Sequence, residues 1–271
     1  MRPMSATSKP LLGLFDDIPN SDYHASEGVS KSQLDLFRRS PYHYWSAFVD
    51  MSAPPRKESE DMKMGTLVHT AVLEPELLDL EYIVGEFKDK RTKAYKEAVK
   101  EAKSEGRILL TTPEMDLACR CRDAVHAHPW ASSVLESGKA EVSMFAVDEV
   151  TGEKVRSRVD WLTPMGLMVD LKTTQDASQW GFAKSCRQFS YYLQAAMYLE
   201  VGRLCGLGED YEFVFIAVER QHPYGVAVYK LDVASMANGH QTFRDLLDRY
   251  HECRVTDLWP CYSDELEMLS L

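Results

Sequence analysis

The chain has 271 residues, 45% of them hydrophobic, with 10 Phe, 13 Tyr and 5 Trp, enough for a sizeable core in one large domain or two small ones. No apolar run approaches the ~20 residues of a membrane span, and the opening MRPMSATSKPLLGLF lacks the apolar core and small-residue cleavage site of a signal peptide; a soluble, cytoplasmic protein with no membrane partner is expected. A net charge of −11 excludes nucleic-acid binding by diffuse positive charge, and six cysteines without a CxxC pair argue against a zinc ribbon or a Cys-ligated iron–sulfur cluster, so reduced thiols are expected.

Residues 1 to about 20 read as a loose arm. GVSKSQLDLFRRSPYHYW predicts two short helices. Ser30 caps the first, with Gln33 in capping-box spacing and Leu34 and Phe37 on its apolar side; Pro41 suits the first turn of the second. DMSAPPRKESED (50–61) has the composition of a flexible loop. KMGTLVHTAVLEPELL predicts a helix that buries Leu67, Ala71, Val68 and Val72 and stops near Pro75. Residues 88–107 read as a charged helix with Lys96, Lys100 and Lys103 on one stripe and Glu97, Glu101 and Glu105 on the next. That helix either presents a basic face to an anionic polymer or is solvated and laced by weak ion pairs. A further helix is expected over 113–127.

The character then changes to a β-meander over 141–147, 154–162 and 167–173, turning at Thr151-Gly152 and at Pro164 to Gly166. In the middle strand, alternation puts Val155, Val159 and Trp161 on one face and Arg156, Arg158 and Asp160 on the other. Helices over 177–187 and 190–204, strands EFVFIAVER and YGVAVYKLD, and a last helix over 233–252 complete the pattern. Strands flanked by helices predict a layered α/β or α+β fold, with one domain over 21–265 between the arm and a tail at 266–271.

The meander carries the chemistry. Asp170 and Lys172 share a face of their strand, and Asp160 lies near the end of the strand before it. If the two strands pair as a hairpin, two carboxylates and an ammonium converge. Such a set can be a salt bridge. It can also hold Mg²⁺, with a second ion completing a two-metal clamp for phosphodiester cleavage and Lys172 orienting water or offsetting developing charge. His69 lies on a strongly apolar helix, where it is either a ligand or a hydrogen-bonded histidine. Gln194 and Tyr198 stand one helical turn apart and share a face, as site residues or as packing. Glu141 is either another acid near the metal or an exposed edge charge.

GxxxH on a helix, then Asp, then DxK, then QxxxY resembles the RecB-type branch of the PD-(D/E)xK nucleases. The blocks YHASEGVSKSQLDLFRRSPYHYW, MGTLVHTAVLEPE, RSRVDWL, VDLKTT and YYLQAAMYLE resemble the C-terminal nuclease domain of exonuclease VIII (RecE) and its phage and prophage relatives over roughly residues 20–265. The large N-terminal region of exonuclease VIII lies outside that resemblance, so the nuclease module alone is expected. The resemblance implies a PD-(D/E)xK restriction-endonuclease-like core, a central mixed β-sheet flanked by helices. It implies His69, Asp160, Asp170 and the Leu171 carbonyl as metal ligands, with Glu141 a further acid, and Lys172 as the catalytic lysine. Gln194 and Tyr198 would orient that lysine or the DNA backbone. GVSKS is also similar to a segment of lambda exonuclease that helps bind a 5′-phosphate, which implies Ser30 and Ser32 with Arg38 or Arg39 as an anion pocket. Arg158, beside Asp160 on the expected polar face, is counted among the DNA-contacting residues.

The activity that the resemblance implies is a Mg²⁺-dependent exodeoxyribonuclease with two ions per site, Mn²⁺ substituting, acting 5′→3′ on double-stranded DNA and leaving 3′ overhangs for recombination. The implied partners are a single-strand annealing protein and further copies of the chain in a ring, a trimer or alternatively a tetramer, with the lysine stripe lining the channel. The alternatives are a nuclease of other polarity and a non-catalytic DNA-binding or assembly module.

Overall fold

The computed structural model describes residues 12–54, 58–263 and 265–269. Residues 1–11 of the expected arm, 55–57 of the expected loop, 264 near the expected domain end, and 270–271 of the expected tail lie outside them. In chain order the elements are β1 (Gly13–Phe15), α1 (Asn20–Ala25), α2 (Lys31–Arg39), α3 (Pro41–Phe48), α4 (Glu60–Leu73), a 3₁₀ turn (Pro75–Leu77), α5 (Leu78–Glu81), β2 (Tyr82–Gly85), α6 (Lys93–Ser104), β3 (Ile108–Thr111), α7 (Thr112–Ala127), α8 (Pro129–Leu135), β4 (Lys139–Val147), β5 (Lys154–Leu162), β6 (Leu167–Thr174), α9 (Gln179–Gln188), α10 (Tyr191–Leu204), β7 (Glu212–Glu219), β8 (Val226–Lys230) and α11 (Val233–Thr256).

Six strands form the main sheet in the order β1-β4-β5-β6-β7-β8. Only the β6–β7 pair is parallel, with α9 and α10 forming the crossover between them, so the sheet is mixed and mostly antiparallel. Helices cover both faces, as expected. On one face, Leu34 and Phe37 of α2, Leu193, Met197 and Val201 of α10, and Phe243, Leu246 and Leu247 of α11 close over Met144, Val159, Met168 and Phe215. On the other, Leu67, Val68, Ala71 and Val72 of α4, with α7 and α8, close over Val169, Leu171, Ile216 and Val218. The four residues expected to be buried on α4 are buried.

Several expectations are corrected. The end of the expected arm is ordered: β1 adds an edge to β4, and α1 follows it. The charged helix is flanked by β2 and β3, which pair in parallel as a small second sheet. On α6, Lys96, Lys100 and Lys103 are exposed. Helix α8 was not foreseen. Trp161 does not share a face with Val159, for a reason that defines the site. Among the described residues, no helix is long and apolar enough to cross a membrane.

Candidate active site

Asp160 sits where two ladders fail together. The β4–β5 register runs through Ala140↔Trp161 and resumes at Val142↔Val159, without a pair at Glu141 and Asp160. Glu141 has φ 51°, left-handed backbone for a non-glycine residue, a conformation that costs roughly 1–3 kcal/mol and clusters at functional sites. The turn reverses the side-chain alternation. Val142 and Val159 lie in the core under α10, whereas Ala140 and Trp161 pack on the α4 side, and Trp161 Nε1 donates to the Val134 carbonyl of α8.

The β5–β6 ladder is short for the same reason. It holds only Trp161↔Val169 and Leu162↔Met168. Beyond it the strands separate, and the Asp160 carboxylate replaces the missing backbone acceptor: the Leu171 N–H donates to Asp160 Oδ2 at 2.8 Å. The edge that β6 leaves is filled by Gly28–Val29. Val29 bridges Val155, its N–H donating to the Lys154 carbonyl and its carbonyl accepting from the Arg156 N–H. Gly28 has φ 107°, and a Cβ there would press on the Lys154–Val155 backbone at 3.3 Å, so a glycine is required before the strand-like bridge. Ser30 then caps α2, its N–H donating to Gln33 Oε1 in the expected capping arrangement.

Into this notch project groups from five elements, α4, β4, β5, β6 and α10. His69 of α4, Glu141 and Asp160 each bring a ligand atom within 4.8 Å of the others, and His69 Nδ1 lies 3.5 Å from Asp160 Oδ2. Asp170, 1% exposed, faces the α10 side. Its Oδ1 accepts from Gln194 Nε2, and among the described residues its buried Oδ2 has no hydrogen-bond partner other than the Lys172 ammonium facing it. Tyr198 is half-buried, edge-on to Phe213. Burial pushes its hydroxyl well above the phenol range, and Tyr23 and the site carboxylates add to that. The structure thus gathers His69, Glu141, Asp160, Asp170, Lys172, Gln194 and Tyr198 around one level of the sheet.

The electrostatics are those of crowded acids. Burial, then the Asp160 charge, pushes Glu141 up to about 8, with Arg158 opposing. Burial, then Asp170, pushes Asp160 up to about 6, against His69, Lys172 and the Leu171 N–H. Burial works against the Lys172 charge, but Asp170 and Asp160 outweigh it and hold the ammonium above the ordinary lysine range. Two acids with raised affinity for protons, gathered beside an imidazole, fit a divalent cation.

A stability test follows. The folded Glu141 holds its proton between 4.5, its ordinary value, and about 8, whereas the unfolded chain releases it. Metal-free protein should therefore lose stability as pH rises through that interval. Added Mn²⁺ should raise the melting temperature more near the top of the interval than near its bottom. A melting temperature that climbs with pH in EDTA, or a Mn²⁺ effect independent of pH, would contradict this picture.

Two side chains beside the site, Lys31 and Tyr191, carried no sequence signal. Lys172 Nζ lies 4.8 Å from the Tyr191 ring centroid, and Lys31 Nζ lies 5.9 Å from the same centroid. Lys31 also donates to the Phe189 carbonyl at 2.6 Å and pairs with Asp35 at 2.7 Å; burial depresses its pKa, with Asp35 opposing. Arg38, two turns along α2, donates to Ser190 Oγ and Tyr192 Oη, both at 2.8 Å. Ser190 has φ 53°. Lys31 and Arg38 together clamp the left-handed corner between α9 and α10, and that corner carries Tyr191 and, one turn on, Gln194.

The expected anion pocket is only partly gathered. Ser30 Oγ and Ser32 Oγ are 3.2 Å apart at the start of α2. Arg38 is committed to the corner, and Arg39 donates to Tyr262 Oη. Arg158, counted among the DNA-contacting residues, is buried: it donates to Ser143 Oγ, the Ile18 carbonyl and Asn20 Oδ1, and lies over the Tyr23 ring.

Comparison with known proteins agrees with this architecture. No protein of curated function matches the chain. Among solved structures, a candidate exonuclease from Eubacterium rectale superposes with a TM-score of 0.66 over 94% of this chain and 96% of its own, at 14% identity, which shows a shared fold. A phage-related exonuclease from Haemophilus somnus aligns over 64% of this chain and 91% of its own, with a TM-score of 0.33 and 14% identity. Residues 30–271 match the family described as PDDEXK-like domain of unknown function (DUF3799), from the α2 cap through the notch to the last helix, and the chain belongs to that family.

Proposed function

We propose that the chain is a divalent-metal-dependent exodeoxyribonuclease that degrades duplex DNA from 5′ ends and leaves 3′ single strands. The observation that carries the nuclease reading is the joint failure of the two ladders at Asp160, which gathers His69, Glu141, Asp160, Asp170 and Lys172. The candidate exonuclease from Eubacterium rectale, which shares the fold, supports the exonuclease reading. Duplex preference, polarity and the choice of Mg²⁺ rest on the resemblance to exonuclease VIII.

His69, Glu141, Asp160 and Asp170 would hold the metal, which when bound supplies Lewis-acid neutralisation of the phosphodiester. The remaining work belongs to the side chains. Asp170 holds the Lys172 ammonium from one side, and the Tyr191 ring lies beside it. Gln194 fixes the other Asp170 oxygen. The ammonium thus stays charged and placed, able to donate to the attacking water or to the phosphate as negative charge develops. The implied annealing partner would receive the 3′ strand. A ring of copies, a trimer or tetramer, would keep an acidic chain on its DNA.

The test uses linear duplexes labelled at the 5′ or the 3′ end, with Mg²⁺ or EDTA. Early release of the 5′ label as mononucleotide, only with Mg²⁺, is expected; early release of the 3′ label would reverse the polarity. His69→Ala should raise the metal concentration needed for half-maximal rate by roughly ten- to hundredfold. An unchanged metal requirement would remove His69 from the metal site.

A further inference from the structure

We propose that the outer face of α9 is a contact surface for single-stranded DNA leading to the notch, an inference that rests on the nuclease reading above. Trp180, Lys184 and Arg187 stand at i, i+4 and i+7, so they form one stripe. Phe182 and Cys186 on the opposite side are buried. Trp180 is 72% exposed, an unusual position for a large indole. The Lys184 ammonium lies 5.9 Å from its ring centroid, in cation–π range.

The charge of the stripe runs against that of the chain. Helix α9 has no acidic residue, in a protein of net charge −11. Elsewhere cations such as Arg203, Arg220 and Arg244 are tied to carboxylates. Among the described residues, neither Lys184 nor Arg187 has an acid within ion-pair distance. The nearest acid along the chain is Asp176, before the helix start, and its Oδ1 accepts from the Ser178 N–H. An exposed π-face flanked by two free cations is the combination that holds single strands, one group for a base and two for phosphates. A self-association surface would favour apolar neighbours over two unpaired charges.

The stripe is continuous with the site. From Trp180 to Arg187 it spans about 10 Å at the helical rise. Just beyond its end, the Phe189 carbonyl accepts from Lys31, and the Tyr191 ring lies beside Lys172. On the inner side of the same helix, Cys186 is near enough to Lys172 and Asp170 to feel their charges. A strand laid along α9 is thus delivered to the catalytic lysine.

The test measures fluorescence anisotropy of labelled oligothymidylate on the full chain in Ca²⁺, which needs no turnover. Trp180→Ala and the double variant Lys184→Gln/Arg187→Gln should each weaken binding about tenfold, whereas Trp180→Phe should retain most of the affinity. The double variant should also flatten the slope of log affinity against log salt by about 1.4. Light scattering should give one oligomeric state for all four proteins. Unchanged affinity in Trp180→Ala and in the double variant, no oligothymidylate binding by the wild type, or a loss that tracks a change of oligomeric state would overturn the proposal. Stripe-dependent binding by a protein that hydrolyses no DNA would sustain the surface and remove the nuclease reading.

Discussion

Asp170→Asn is expected to lower DNA hydrolysis by at least ~10³-fold while the protein stays folded. The substitution is nearly isosteric and keeps a side-chain oxygen for Gln194 to donate to. What it removes is charge, at a position 1% exposed where that charge does two things. It offers the metal a hard anionic oxygen, and it holds the Lys172 ammonium. Loss of stability should be modest, because the repulsion between Asp170 and Asp160 disappears with it. Unfolding midpoints of the two proteins should lie within a few degrees in EDTA. A folded Asp170→Asn protein with activity within tenfold of wild type would remove Asp170 from the chemistry.

Lys172→Met should separate turnover from binding. Methionine fills the space of the lysine stem without the ammonium, so the carboxylates remain available for metal while the donor beside the notch is gone. The rate of nucleotide release should fall by about 10²–10³-fold. Affinity for duplex in Ca²⁺ should change by less than about fivefold, since one cation among many phosphate contacts contributes little to binding. Equal losses in both measurements would make Lys172 a DNA-contact or structural lysine.

The main sheet was legible because its strands alternate or run apolar and its turns carry glycines with positive φ, Gly152 at 73° and Gly166 at 85°. Long amphipathic helices with marked caps were legible for the same local reasons. Strand β1, three residues long, was not, since its pairing with β4 is a long-range event. The four-residue strands YIVG and ILLT did leave a signal: two short apolar runs flanking a helix are the pattern of a parallel crossover. Within the site, Asp160, Asp170, Lys172, His69 and Gln194 were visible as spaced motifs. The left-handed turn at Glu141 was not, because a glutamate gives no sign of it, and strict alternation then misplaced Trp161. Lys31 and Tyr191 meet Lys172 only through the α2 clamp on the α9–α10 corner. Arg158 looked available on a polar strand face until the chain around Ile18 and Asn20 folded over it.

On the function proposed above, the notch at Asp160 hydrolyses phosphodiesters with a divalent cation. The most direct measurement is release of acid-soluble nucleotide from uniformly labelled linear duplex, by wild type and Asp170→Asn purified side by side, in Mg²⁺ and in EDTA. Release by wild type in Mg²⁺ alone, with none from Asp170→Asn, is the predicted result. No release by folded wild type in either Mg²⁺ or Mn²⁺, or equal release by the two proteins, would contradict it.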